Sequence, residues 1–307
     1  MKRLCLALAV VTILIGVATV SKTAPRTTGV AKHVQIRSGD RNPWTNLQFN
    51  DKRENFQFVI VTDRTGGRRP GVFSKAVGQI NLLQPEFVVS VGDLIEGYTE
   101  DPGQWALEWS EFESVVDKLD MPFFFCAGNH DISNLPMSDD WNRRFRRSYY
   151  HFIYHDCLFL VLNSEDPPKD GPFHFSQEQR DWAVETLKAN RNVRWTFVLT
   201  HKPTWTYPEA DLAKQGWTQI ENALAGRKYT VFSGHKHAYA RYIRRGHEYY
   251  MLATTGGGST LTGLDEGKFD HFVWVTMTKK GPVLANLLMD GVKPKTIRTL
   301  ADPSAGK

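Results

Sequence analysis

The sequence predicts an α/β protein in which helices cover β-sheets, with extra antiparallel strands toward the C-terminus. Two observations carry this reading. Apolar runs of strand length alternate with segments whose apolar residues recur every three or four positions. In the last third, strand-like runs are separated by two-residue turn signals. The 307 residues suffice for one large domain or two small ones with a substantial core.

The elements follow in order. "FQFVIVT" (56–62) reads as a buried strand. A helix spans about Phe73 to Leu83, with Phe73, Ala76, Ile80 and Leu83 on one face. "EFVVSV" (86–91) is a second strand. Trp105, Trp109, Phe112, Val116 and Leu119 recur at helical spacing and read as core packing. "MPFFFCAG" (121–128) is a third strand, and "YYHFIYHDCLFLVLN" (149–163) a hairpin turning at His155-Asp156. Ser176 with Gln179 forms a capping box for a helix reaching about Asn190. "RWTFVLT" (194–200) is a strand, followed by a short helix through Trp217, Ile220 and Leu224 and then the strand "YTVFS". Two more hairpins are expected, turning near Arg245-Gly246 and at Lys280-Gly281. No internal repeat is present.

The ends differ in character from the middle. Lys2 and Arg3 precede an apolar run from Leu4 to Val20, the outline of a secretory signal peptide over residues 1–21. An uncleaved membrane anchor is the alternative. Export to a periplasmic or extracellular space follows from the first reading, membrane attachment from the second. Residues 22–54 are polar with scattered prolines and read as an irregular linker. Residues 55–290 form the main domain, and 291–307 a loose tail. The formal net charge is +5, mildly basic, and no dense basic stripe with interleaved aromatics points to nucleic acid. Cys126 and Cys157 lie in apolar runs, which favours buried free thiols over a disulfide.

Chemistry concentrates where strands end. Five central strands exit to Asp63, to Asp93, to Asn129-His130-Asp131, to His201 and to His235-Lys236-His237. In α/β sheets, ligands bind beyond the carboxyl ends of the strands. Carboxylate, carboxamide and imidazole together suit first-row metals such as Mn, Fe and Zn. The set exceeds one tetrahedral site, so two adjacent ions are expected, with one Asp able to bridge them. A water shared by two such cations loses a proton near neutral pH, and a phosphate ester is its obvious target.

The motifs "TDRTGG", "VGDLIEGY", "AGNHD", "THKP" and "SGHKH" resemble, in order, those of the calcineurin-like metallophosphoesterases. The resemblance covers roughly residues 55–290 and implies two packed mixed β-sheets flanked by helices. It implies a first divalent or mixed-valence transition metal held by Asp63, Asp93 and His237. It implies a second held by the bridging Asp93 with Asn129, His201 and His235. Asn129 and His130 would contact substrate, with His130 assisting the leaving group and Asp131 steadying it. The expected reaction is hydrolysis of a small-molecule phosphoester by in-line attack of a bridging hydroxide.

One position departs from the pattern. Thr65 stands where the family carries a histidine. A hydroxyl is a poorer ligand than imidazole, so the first metal would be weakly held unless another group compensates. Glu96, three residues beyond Asp93, is the candidate replacement. A catalytically impaired, metal-binding or receptor-like protein is the alternative to a working hydrolase. Arg64, Arg68 and Arg69 flank the same loop and are either phosphate-gripping groups or a solvated surface. The stretch "TTGGGS" (254–259) either lets backbone approach the site or is a plain turn. Sequence alone does not separate monoesters, diesters and pyrophosphates as substrates, nor does it disclose oligomeric state.

Overall fold

The computed structural model describes residues 34–47, 49, 55–169 and 171–303. The expected signal segment, residues 1–21, lies outside them. Among the described residues no helix is long and apolar enough to cross a membrane.

Two mixed sheets pack face to face, each covered on its outer side by helices. The smaller contains β2 (Phe56–Val61), β3 (Phe87–Ser90), β4 (Phe123–Phe124), β11 (His271–Thr278), β12 (Gly281–Leu288) and β13 (Gly291–Pro294). Its strand order is β13-β12-β11-β2-β3-β4. The larger contains β1 (Val34–Ile36), β5 (Tyr150–Tyr154), β6 (Cys157–Val161), β7 (Trp195–Leu199), β8 (Tyr229–Ser233), β9 (Ala240–Arg244), β10 (His247–Met251) and β14 (Thr299–Leu300). Its order is β1-β5-β6-β7-β8-β10-β9-β14. Between the sheets lies an aromatic core, with Phe58 stacked on Phe87 at 5.3 Å and Phe152 on Phe159 at 4.6 Å. β2, β3 and β4 run parallel, as do β6, β7 and β8, so their carboxyl ends face the same way within each sheet.

The helices are α1 (Val72–Leu83), α2 (Pro102–Val116), α3 (Leu135–Phe145), α4 (Gln177–Ala189), α5 (Glu209–Lys214) and α6 (Trp217–Ala223). The stripe on α2 packs as expected, with Trp105, Trp109, Phe112 and Val116 buried beneath the smaller sheet. On α1, Phe73, Ala76 and Ile80 are buried, but Leu83 is exposed at the helix end, and Val77 takes its place in the core. α3 and α5 have no counterpart in the sequence reading. The apolar residues of α3 are few among its charges, yet Met137, Trp141 and Phe145 seat it beside α2.

The hairpin turn at His155-Asp156 is as expected, both residues adopting positive φ. The turn at Arg245-Gly246 is also as expected, whereas the last one falls on Lys279-Lys280, one residue early, because Thr278 pairs with Gly281. Half of the expected capping box forms. Ser176 Oγ accepts from the Gln179 N–H, but the Gln179 side chain is buried and bonds Asn163 and Asp166 instead.

Both chain ends join the sheets more closely than expected. β1 pairs with β5, and Trp44 packs on Phe124 and Tyr150, so residues 34–47 are part of the body rather than a free linker. The expected loose tail contains β13, paired with β12, and β14, paired with β9. Backbone hydrogen bonding to open sheet edges supplies what the side-chain pattern of these short segments does not advertise. Cys126 and Cys157 are buried free thiols.

Candidate metal centre

The strand exits converge. Asp63 follows β2, Asp93 follows β3, Asn129-His130 follow β4, His201 follows β7, and His235 and His237 follow β8. Two triads result. Asp93, His201 and His235 offer ligand atoms within 4.8 Å of one another, and so do Asp63, Asp93 and His237. Asp93 belongs to both. Asn129 joins the first of these triads, its Oδ1 lying 2.9 Å from His201 Nε2.

Local backbone geometry makes the convergence possible. His235 and His237 both take positive φ, at 73° and 49°, so they turn inward from a loop. Asp93 does the same at 58°. Such conformations are costly for residues with a Cβ and persist where the surroundings impose them. Gly128 has no alternative, since a Cβ there would collide with the Asp93 carboxylate. A Cβ on Gly66 would lie 3.2 Å from His130 Nε2 and 3.3 Å from His237 Nε2, so both rings converge over that point of backbone.

Three histidines are oriented by one device. His201 Nδ1 lies 2.9 Å from the Val91 carbonyl, His130 Nδ1 2.6 Å from the Glu96 carbonyl, and His237 Nδ1 2.5 Å from the Gly258 carbonyl. A carbonyl only accepts, so each Nδ1 carries the proton and each Nε2 is directed at the site. The glycine-rich stretch therefore does approach the centre. Thr255 and Gly257 N–H groups also donate to the Asp63 carbonyl.

The electrostatics fit cations. Asp63 and Asp93 are fully buried. Burial would push Asp93 up, but His201 and the His130 N–H hold it below the usual carboxylate range. Burial would lower His201, yet Asp93 outweighs it and raises the imidazole to about 9. His237 is raised likewise, Asp63 prevailing over burial. His235 goes the other way, pushed down to about 2 by burial and by its neighbours His201 and Lys202, and so keeps an open lone pair. His201 Nε2 and His237 Nε2 thus face buried carboxylates at 3.1 and 3.4 Å, in the positions where metal ions would compete for the same atoms.

Several residues beside the centre are engaged in other contacts. Thr65 does not face the centre as a ligand; its hydroxyl is buried and donates to the Asp93 and Ile95 carbonyls. Glu96 lies outside the two triads. Its carboxylate accepts from the backbone N–H groups of Gly66, Gly67 and Arg68, closing the loop after Asp63. Asp131 does not touch the His130 ring. Its buried carboxylate accepts from the N–H groups of Asp93, Leu94, Ile95 and Gly128, tying two strand exits together. Arg64 turns into the body between Phe73 and Phe112 and bonds Leu94 and Glu111. Arg68 pairs with Glu111, and Arg69 forks onto Asp270. These contacts brace the loop.

Three residues near the centre escaped the sequence reading. Tyr98 stacks edge-on against His130 at 4.8 Å. Glu165 and Lys202 form a buried ion pair at 2.9 Å, next to His201 in sequence. The signal for Glu165 was its place just beyond the strand "CLFLV", a sixth exit.

A two-sheet α/β sandwich whose strand ends unite two carboxylate–imidazole triads through one aspartate is the architecture of a two-metal phosphoesterase. The chain belongs to the calcineurin-like phosphoesterase family, whose profile matches residues 56–239. It is 33% identical over 185 residues to the serine/threonine-protein phosphatase CPPED1 of Pongo abelii, a match covering 53% of this chain and 57% of that protein. The match thus spans little more than half of that relative. In fold it is similar to a dimetal phosphatase from Danio rerio, at TM-score 0.59 and 15% identity, over 78% of this chain and 98% of that one. It is also similar to the purple acid phosphatase PPD1 of yellow lupin (Lupinus luteus), at TM-score 0.57 and 13% identity, over 81% of this chain and 54% of that one.

Proposed function

We propose that the protein hydrolyses small-molecule phosphoesters at a centre of two transition metal ions, of the Mn, Fe or Zn type. The observation that carries this is the sharing of Asp93 between the two triads. Asp63, Asp93 and His237 would hold one ion, and Asp93, Asn129, His201 and His235 the other. When bound, such a pair would acidify water and draw charge from phosphoryl oxygens.

The chain's own residues do the remaining work. The carbonyls of Val91 and Gly258 keep Nε2 of His201 and His237 free of protons once a cation competes for it. His130, anchored through Nδ1 to the Glu96 carbonyl, presents Nε2 toward the space beside His237. From there it donates a proton to a phosphoryl or leaving-group oxygen. Asp131 fixes the relation between the Asp93 and His130 segments through backbone N–H groups.

The test is turnover of an aryl phosphate by purified protein with its metals quantified. Turnover should require metal and should vanish in Asp93→Asn, together with both metal equivalents. Turnover that survives chelation or Asp93→Asn would refute the proposal. Because Thr65 supplies no ligand, the first site is expected to be the weaker one. A chain that retains a single ion and turns over no phosphoester would favour the impaired, receptor-like reading.

We also propose export, on the strength of Lys2, Arg3 and the apolar run Leu4 to Val20. N-terminal sequencing of protein recovered outside the cytoplasm checks it: a start near Thr19 to Pro25 supports cleavage, and an intact Met1 in membranes supports an anchor.

A further inference from the structure

A second concentration of binding groups lies outside the metal centre. A cleft of about 400 Å³ opens between β1, the α3–β5 connection and α4, and none of its lining residues belongs to the two triads. Its lining includes Arg37, Arg146 and Arg147 together with Tyr149 and Trp182. The register of β5 on β6, Tyr150 opposite Val161, puts the cleft at the same end of the large sheet as the metal ligands.

The charges in this cleft are unequally matched. Among the described residues no carboxylate lies within ion-pair reach of Arg37 or Arg147, and Arg146 reaches only the exposed Asp40, at 3.8 Å. The Arg147 guanidinium bonds the Arg37 carbonyl, and it is lowered by burial and by the charges of Arg37 and Arg146. Two acids also line the cleft, and both bond neutral groups. Asp166 accepts from Ser176 and Gln179, and Glu178 is bonded to Tyr149. Three mutually repelling cations, two of them without an ion-pair partner among the described residues, favour an anion of more than one charge. A tetrahedral phosphate, with oxygens for several guanidinium groups, suits them better than a monoanionic carboxylate.

Part of the lining is aromatic. Trp182 lies 5.0 Å from Tyr149 and 5.8 Å from His151, ring to ring. His151 is lowered by burial and by Arg147, so its ring is neutral near pH 7 and adds no charge. The indole is half-buried.

We infer that this cleft is a second ligand site, for an organic phosphate whose phosphoryl group lies among Arg37, Arg146 and Arg147 and whose planar portion rests on Trp182. It does not depend on the reaction at the metal centre.

Calorimetric titration of the metal-loaded chain with phenylphosphonate, which has no ester bond to cleave, tests the inference. Two sites per chain are expected, one of which disappears on metal removal with EDTA. Arg37→Gln combined with Arg146→Gln should weaken the other at least tenfold and leave aryl-phosphate turnover unchanged, since both side chains are exposed and neither belongs to the triads. Trp182→Leu should erase the preference of this site for phenylphosphonate over methylphosphonate. The inference fails if a single site exists and EDTA removes it, or if the arginine double variant keeps both sites at full strength. It stands if an arginine-dependent site persists in protein that shows no metal-dependent turnover, so the two readings fail separately.

Discussion

Tyr98 and Asn129 are joined by a 2.9 Å hydrogen bond from the carboxamide nitrogen to the phenol oxygen. The bond settles which way the carboxamide faces, turning its Oδ1 toward His201 Nε2 and the second metal position. Tyr98 is 63% exposed and held at φ 50°, a left-handed conformation that burial does not explain. A neutral hydrogen bond of this kind contributes about 1 kcal/mol. Tyr98→Phe should therefore weaken the second metal about fivefold while leaving thermal stability nearly unchanged. A metal titration followed by turnover reads this directly, and unaltered metal affinity would remove Tyr98 from the positioning of Asn129.

His130 and Asp131 should behave differently although they are adjacent. His130→Ala removes the imidazole that faces the reacting region, so turnover falls by roughly 10²-fold or more with both metals retained. Asp131→Ala orphans four buried N–H groups, at about 1–3 kcal/mol for each group left without a partner or water. Its signature is a lower melting temperature in metal-free protein. Equal melting temperatures for wild type and Asp131→Ala would contradict the bracing role.

Glu96→Ala should keep both metal equivalents. Its carboxylate closes the loop of Gly66, Gly67 and Arg68, so the variant loses order there and becomes more open to proteolysis within residues 66–69. Loss of one metal equivalent without any change in proteolysis would reinstate Glu96 as a ligand. Thr65→Val should cost about 1–3 kcal/mol of stability, because the Asp93 and Ile95 carbonyls lose their shared hydroxyl donor.

The pH dependence of metal-free protein has a definite sign. Asp131 is raised to about 7 by burial and by Asp93, and His201 to about 9 by Asp93 against burial. Both folded-state values lie above the unfolded ones. Stability from these groups is therefore full below the unfolded values, and it declines as pH rises through 7 and then through 9. Metal binding displaces the His201 proton, so the gain in melting temperature on adding Mn or Zn should grow between pH 6 and pH 9. Thermal unfolding with and without EDTA across that range checks it; a gain that shrinks with pH would show the proton and the metal are not in competition.

Much of the site was legible because each ligand directly follows an apolar strand. Asp63, Asp93, Asn129, His201, His235 and His237 needed only an alternating pattern and a chain order to be gathered at one edge. The less legible residues share a different trait. Thr65, Glu96 and Arg64 lie in one connecting segment or its neighbour, where no periodicity dictates side-chain direction. Their nearness to the ligands in sequence suggested chemistry, and the fold gave them backbone and loop duties. The strands β13 and β14 were hidden for another reason: edge pairing uses main-chain groups that every residue possesses.

By itself, the sequence determined the α/β class, the order of the main elements and the candidate residues at the strand exits, since hydrophobic periodicity and strand-end position are local properties. Tertiary structure decided which groups of that set meet. It made Asp93 common to both triads, sent Glu96 and Asp131 to backbone N–H groups, and paired Arg64, Arg68 and Arg69 with acids far along the chain. The physical reason is burial. A carboxylate, guanidinium or hydroxyl removed from water must bond whatever the fold brings within about 3 Å, and those partners come from segments that sequence order does not connect.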